Sequence, residues 1–205
     1  MPFSVKAHER DLLVFAAAST YDAMLKIGKA YEETCDCKVT FSFASSAVLS
    51  RQIDVGAQAD IIISANRQWI DWLEEREKLR GEALPIASNR LVIASTALTK
   101  DSFNILFRNR FSMGDPNGVP SGIYAKQALT SMGLWEDVKS NAVFTENVRV
   151  ALSMISRGDL QSGIVYASDL IAASELHAHF RFPENTHDPI KYLASTVKSS
   201  EQDTV

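Results

Sequence analysis

Four times in this chain an apolar stretch meets small or hydroxyl-bearing residues where a helix pattern begins. The places are Phe15-Ala16-Ala17-Ala18-Ser19, Phe43-Ala44-Ser45-Ser46, Gly114-Asp115-Pro116 through Pro120-Ser121-Gly122, and Glu146-Asn147-Val148. What such residues offer is hydrogen-bond donation. The first turn of a helix carries unpaired N–H groups and a partial positive charge. Several such ends converging on one point hold an anion with no metal and no buried Lys or Arg. The small alanines ahead of Ser19 also let a ligand approach the backbone closely. Plain capping is the competing reading. Ser19, Ser45, Ser46 and Asn147 are all residue types that cap their own helices, and Pro120-Ser121 reads as Pro near the entry with Ser at the cap.

Other chemistries find less support. Ser195-Thr196-Val197-Lys198 matches a Ser-x-x-Lys pattern, but it stands without companion motifs in a polar tail and reads as a chance match. No Gly-x-Ser-x-Gly elbow and no Walker loop occurs. His177, His179 and His187 lack the Cys or carboxylate spacing of a metal site and read as solvated. Cys35 and Cys37 sit two apart, a spacing sterically poor for a disulfide, so two ordinary thiols are expected. Asp115-Pro116 reads as a turn former, and Trp69, Trp72 and Trp135 as core and rim.

With 205 residues, 46% of them hydrophobic and 22% charged, the chain reads as globular. Its net charge is −4, and the basic residues are scattered, so neither nucleic acid nor an anionic membrane surface is an expected partner. Any anion selectivity must come from local dipoles. No apolar run reaches the length of a membrane span. The first ten residues lack the apolar core of a secretory signal.

Strand and helix signals alternate along the chain. Leu12–Ala16, Lys38–Phe43 and Asp60–Ser64 read as strands, each followed by apolar residues at helical spacing. Leu91–Ala94, Phe111–Met113, Gly163–Tyr166, Phe180–Phe182 and Ile190–Val197 repeat the theme after a cut near Ser88–Arg90. The pattern predicts an α/β protein of two lobes, each a mostly parallel sheet flanked by helices.

The helix openings, together with Ala59-Asp60, Val119-Pro120-Ser121-Gly122-Ile123-Tyr124-Ala125-Lys126 and Gly163-Ile164-Val165-Tyr166-Ala167-Ser168-Asp169, occur in an order that resembles the molybdate-binding proteins that feed an ABC transporter in bacteria. The resemblance spans roughly residues 11 to 192. It implies a two-lobed periplasmic binding protein fold of type II, with lobe I over 1–88 completed by a return segment at 192–205, and lobe II over 89–191. It implies a tetrahedral oxyanion, molybdate or tungstate, in the cleft between lobes, held by neutral donors. Carried over by motif, these are the hydroxyl and N–H of Ser19 and of Ser46, the N–H groups of Ser121 and Val148, and the Tyr166 hydroxyl. A periplasmic location, a transporter permease as partner, no cofactor and no catalysis are further implications. A cytoplasmic oxyanion-sensing module, or another tetrahedral guest such as sulfate, is the alternative.

Four departures from the family pattern carry expectations; one is Tyr192-Leu193, in place of the Tyr-Pro that often begins the return crossover. Ser121 stands where the family often has Ala, and a backbone contact there tolerates the change. Asn147 stands where an acidic residue is also common. Past the last strand the family usually continues with helices that pack back on the first lobe, and the polar stretch Lys198–Val205 offers no apolar helix face. Lowered stability, an exposed apolar patch on the first lobe, or association through it is therefore expected.

Overall fold

A computed structural model describes residues 11–96 and 103–198. The first part of the chain runs β1 (Leu12–Ala17), α1 (Tyr21–Glu32), β2 (Val39–Ala44), α2 (Ser46–Asp54), β3 (Ile61–Ser64), α3 (Arg67–Glu74) and β4 (Leu79–Ser88). The second runs β5 (Leu91–Ser95), α4 (Asn104–Arg108), β6 (Phe111–Gly114), α5 (Pro120–Ser131), α6 (Trp135–Val138), β7 (Ala142–Thr145), α7 (Val148–Ser156), β8 (Ser162–Tyr166), β9 (His177–Arg181) and β10 (Lys191–Val197).

The strands form two five-stranded sheets, ordered β2-β1-β3-β10-β4 and β7-β6-β8-β5-β9. Each is mixed. β1 pairs in parallel with β2 and β3, while β10 runs antiparallel to β3 and β4. In the second sheet β6 is parallel to β7 and β8, and β5 runs antiparallel to β8 and β9. The parallel halves come from βαβ units, whose helices cover the sheet faces. The antiparallel strands are those next to the two crossings between sheets. The crossings lie side by side, with the Asn89 N–H donating to the Ile190 carbonyl at 3.1 Å.

The second sheet packs on α5 and α7 through Leu91, Ile93, Phe111, Met113, Leu129, Ile155 and Ile164, all fully buried. The first packs on α2 and α3 through Leu49, Ile62, Ile70 and Leu73. Its other face is thinner. Among the described residues, only Val14, Ala16, Met24 and Ile63 are buried there, and an open apolar groove of about 340 Å³ runs between α1 and the strands, lined by Ile27, Tyr31, Phe41 and Ile61 among others. This is the expected patch on the first lobe. Residues 199–205, which fall in the polar tail, lie outside the described residues.

Several elements depart from the sequence pattern. The residue pattern does not announce β4, α4, α6 or β7; β4 buries only Leu79 and Ala83 and so shows no clean alternation. β9 begins at His177 and takes up His177 and His179 as strand residues. Cys35 and Cys37 form a disulfide and are not two thiols. The chain bends directly after α1, which brings their Cα atoms to 5.3 Å, inside the bridging range.

Candidate functional site

The helix openings meet between the two sheets. Ala17, Ala18, Ser19, Ser45, Ser46 and Ala65 from the first sheet's side face Val119, Pro120, Ser121, Asn147, Val148 and Tyr166 from the second's. They line a cavity of about 10 Å³. That is about the space of one water-sized species.

The caps sort out differently from the sequence reading. Ser45 caps α2, its Oγ accepting from the Val48 N–H at 3.4 Å. Ser46, the next residue, does not cap. Its Oγ accepts from the Ala65 N–H at 2.9 Å, which leaves its own proton free. Ser19 lies inside a 3-10 turn ahead of α1 and caps nothing by its side chain. Its Oγ instead accepts from the Tyr192 hydroxyl at 2.8 Å. Val119 is the N-cap of α5, so Ser121 sits in the first helical turn and not at the cap. Asn147 does cap α7. Its Oδ1 accepts from the N–H groups of Arg149 and Val150, and the Val148 N–H, one residue earlier, stays free of it.

Two glycines allow the second side to close up. A Cβ on Gly122 would lie 2.0 Å from the Gly114 carbonyl oxygen, and one on Gly114 would lie 2.6 Å from the Ser121 Oγ. Their absence lets the start of α5 rest directly on the end of β6.

The cavity is thus lined by donors. The Tyr166 hydroxyl and the Ser121 Oγ are buried and have no partner in the protein. Burial holds the Tyr166 pKa well above its ordinary value, so the phenol stays a donor at all ordinary pH. None of the residues around the cavity is a carboxylate, a Lys or an Arg. Among the described residues, no group of His, Cys, Asp and Glu is arranged to hold a metal ion. A guest of this cavity must bring acceptors and needs no proton of its own.

A polar framework surrounds the cavity. Asp169 is fully buried. Its Oδ2 accepts from the Tyr166 N–H at 3.0 Å, and its Oδ1 stands 3.1 Å from the Arg149 Nε, an ion pair without hydrogen-bond alignment. Burial lifts the Asp169 pKa to about 6; Arg149 and the Tyr166 N–H oppose the rise without cancelling it. Arg149 also reaches Asp22 on α1 at 2.6 Å, across the gap between sheets. Two further bonds cross the gap. The Trp69 Nε1 donates to the Gly118 carbonyl at 2.8 Å, and the Tyr124 hydroxyl to the Ala65 carbonyl at 3.4 Å.

All five residues that the resemblance singles out, Ser19, Ser46, Ser121, Val148 and Tyr166, line this one cavity. Asn89 and Arg149 carry no sequence signal as neighbours of the cavity, and Tyr192 and Asp169 enter the resemblance only as motif positions, with no role beside the cavity. Each is a lone polar residue whose partners are remote in sequence or set by packing.

The comparisons with known proteins follow the same line. The model of the bacterial extracellular solute-binding protein family matches residues 12–205. The molybdate-binding protein ModA of Escherichia coli (strain K12) is 34% identical, over 97% of this chain and 82% of that protein. ModA of Haemophilus influenzae (strain Rd) is 35% identical, over 90% of this chain and 77% of that protein. The periplasmic molybdate-binding protein of Azotobacter vinelandii has the same fold, with a TM-score of 0.83 at 22% identity, over 94% of this chain and 88% of that one. The chain belongs to the bacterial extracellular solute-binding protein family, among the relatives of the molybdate-binding protein ModA.

Proposed function

We propose that this protein binds molybdate in the cavity between its two sheets and delivers it to an ABC transporter permease. The observation that carries the reading is the composition of the cavity wall: hydroxyls and helix-end N–H groups, with no acceptor carboxylate and no cation. A doubly charged tetrahedral oxyanion has many acceptor lone pairs and no donor, so each wall group matches it. Helix-end dipoles offset its charge within about one turn. The two relatives above, named for molybdate binding and 34% and 35% identical, support the same guest.

In this reading Ser19 and Ser46 donate through hydroxyl and N–H, Ser121 and Val148 through N–H, and Tyr166 through its hydroxyl. The sheets with their helices act as two lobes, 1–88 with 192–205 and 89–191, which close on the anion. Tungstate, nearly the same size, binds as well. The smaller sulfate leaves donors unmet in a closed cleft and binds more weakly. Phosphate carries a proton at neutral pH, and the wall offers that proton no charged acceptor. The protein works in the periplasm as a carrier, without cofactor and without catalysis.

Isothermal titration with molybdate, tungstate, sulfate and phosphate tests the reading. It predicts one anion per chain and an order of molybdate and tungstate, then sulfate, then phosphate. Binding of phosphate in preference to molybdate rejects it.

A further inference from the structure

We propose that Tyr192, held by Asn89 at the crossing between the sheets, is a positioning residue that fixes the direction of the Ser19 hydroxyl proton. The inference rests on the oxyanion reading of the cavity and adds to it two residues that line no part of the cavity.

The hydrogen bonds around Asn89 have only one consistent polarity. The Asn89 Oδ1 accepts from the Arg90 N–H at 2.9 Å and from the Ser168 N–H at 3.4 Å, which identifies the oxygen end of the amide. The other end, Nδ2, can only donate. It does so to the Ser168 Oγ at 2.7 Å and to the Tyr192 hydroxyl at 3.0 Å. The Tyr192 oxygen therefore accepts from Asn89, and its single proton goes to the Ser19 Oγ, 2.8 Å away. Ser19 is left as an acceptor toward Tyr192, and its own proton is directed at a further acceptor. No such acceptor for it is found among the described residues. A cavity anion supplies one.

The rest of the arrangement fits a fixed part. Tyr192 is buried at 4% exposure, packs with Ala17 and Ala65 beneath the cavity, and meets the Tyr166 ring edge-on at a centroid distance of 6.3 Å. Asn89 sits where the chain passes from one sheet to the other, and Ser168 lies just past Tyr166. The chain Ser168–Asn89–Tyr192–Ser19 thus ties the first sheet's donor to the crossing about which the lobes move. Ser46 reaches the same end by another route, since its Oγ accepts from the Ala65 N–H. Both serines have an acceptor role filled by the protein and a proton left over.

The test is a double-mutant cycle read by the molybdate Kd in isothermal titration, on the full chain. Tyr192→Phe keeps the ring and removes the proton that holds Ser19. It is expected to weaken molybdate about tenfold. In a Ser19→Ala background the same change is expected to alter Kd by less than about twofold, because there is no hydroxyl left to direct. A merely structural role would weaken binding equally in both backgrounds, and that result overturns the proposal, as does an unchanged Kd for Tyr192→Phe alone. Asn89→Asp gives a second route should Tyr192→Phe fold poorly. It turns the end of the chain from donor to acceptor, so Tyr192 donates to it and Ser19 donates to Tyr192. The expected loss of affinity is larger with Ser19 present than in the Ser19→Ala background, and equal losses contradict the proposal. A wild-type protein that binds no molybdate overturns the underlying reading and this role with it. A wild type that binds with additive variants overturns the positioning role alone.

Discussion

The indole Nε1 of Trp69 donates to the carbonyl of Gly118 at 2.8 Å, joining α3 of the first sheet to the turn that leads into α5 of the second. Ala47 of α2 also lies beside Gly118. The bond exists only when the two sheets stand close. Trp69→Phe keeps an aromatic ring in place and deletes the bond. It is expected to raise the molybdate Kd by a few-fold to about tenfold, mostly through faster dissociation. Stopped-flow release measurements check this; an unchanged off-rate would mean that the bond does not hold the closed form.

Ser46→Ala removes one hydroxyl donor from a buried charge. The expected loss is about 10- to 100-fold in affinity, from the roughly 1.5–3 kcal/mol that a bond to a charged group is worth. Val148→Ala leaves the backbone N–H in place and is expected to change affinity less than about threefold. Titration calorimetry on the two variants separates side-chain from backbone donation. Equal losses would contradict the assignment.

Tyr166→Phe divides function from stability. The hydroxyl is buried at 1% exposure and has no partner in the protein. Removing it relieves an unsatisfied polar group, so the ligand-free protein is expected to melt no lower than wild type, while molybdate binds about tenfold more weakly. A lowered melting temperature with unchanged affinity would show that the hydroxyl belongs to the fold and not to the site.

The local parts of this site were legible in the sequence, and the non-local parts were not. The helix openings at Ser46, Ser121 and Val148 follow from an apolar strand running into small or polar residues, a signal a few residues long. Which serine caps and which donates was not legible. Ser45 and Ser46 are neighbours of the same type, and they are told apart by the Ala65 N–H, nineteen residues from Ser46. The Tyr192–Ser19 bond joins residues 173 apart. The sheets' antiparallel halves escaped for a similar reason, because the strand partners of β10 and β5 are set by the crossings. β4 was hidden by its exposure, with Gly81 at φ +73° and Pro85 interrupting any pattern. The Cys35–Cys37 bridge depends on a bend that no residue type announces.

Arg149 and Asp169 give a pH-dependent prediction. Arg149→Ala leaves Asp169 buried without its counter-charge, and is expected to destabilise by about 3–5 kcal/mol at pH 8. Asp22→Asn removes only the exposed partner and is expected to cost at most about 1 kcal/mol. The Asp169 pKa is raised to about 6 in the folded protein, so the native state holds a proton that the unfolded chain has already released. Stability from this group is therefore highest in acid and falls as pH rises through about 4 to 6. Below about pH 6 the folded-state Asp169 is largely neutral, and the cost of losing Arg149 shrinks. Melting temperatures of wild type and Arg149→Ala from pH 4.5 to 8 check this. A gap that stays constant or widens toward acid would contradict the ion-pair account.

The central claim is that a wall of neutral donors, without cation or carboxylate, selects a fully deprotonated tetrahedral dianion. A thermal melt of the wild-type protein with and without molybdate tests it most directly. At about 100 times Kd, ligand that binds only the native state adds about 2.7 kcal/mol of stability. A clear upward shift with molybdate and with tungstate, and none with phosphate at the same concentration, is the predicted result. No shift with either metal oxyanion, or an equal shift with phosphate, would contradict it.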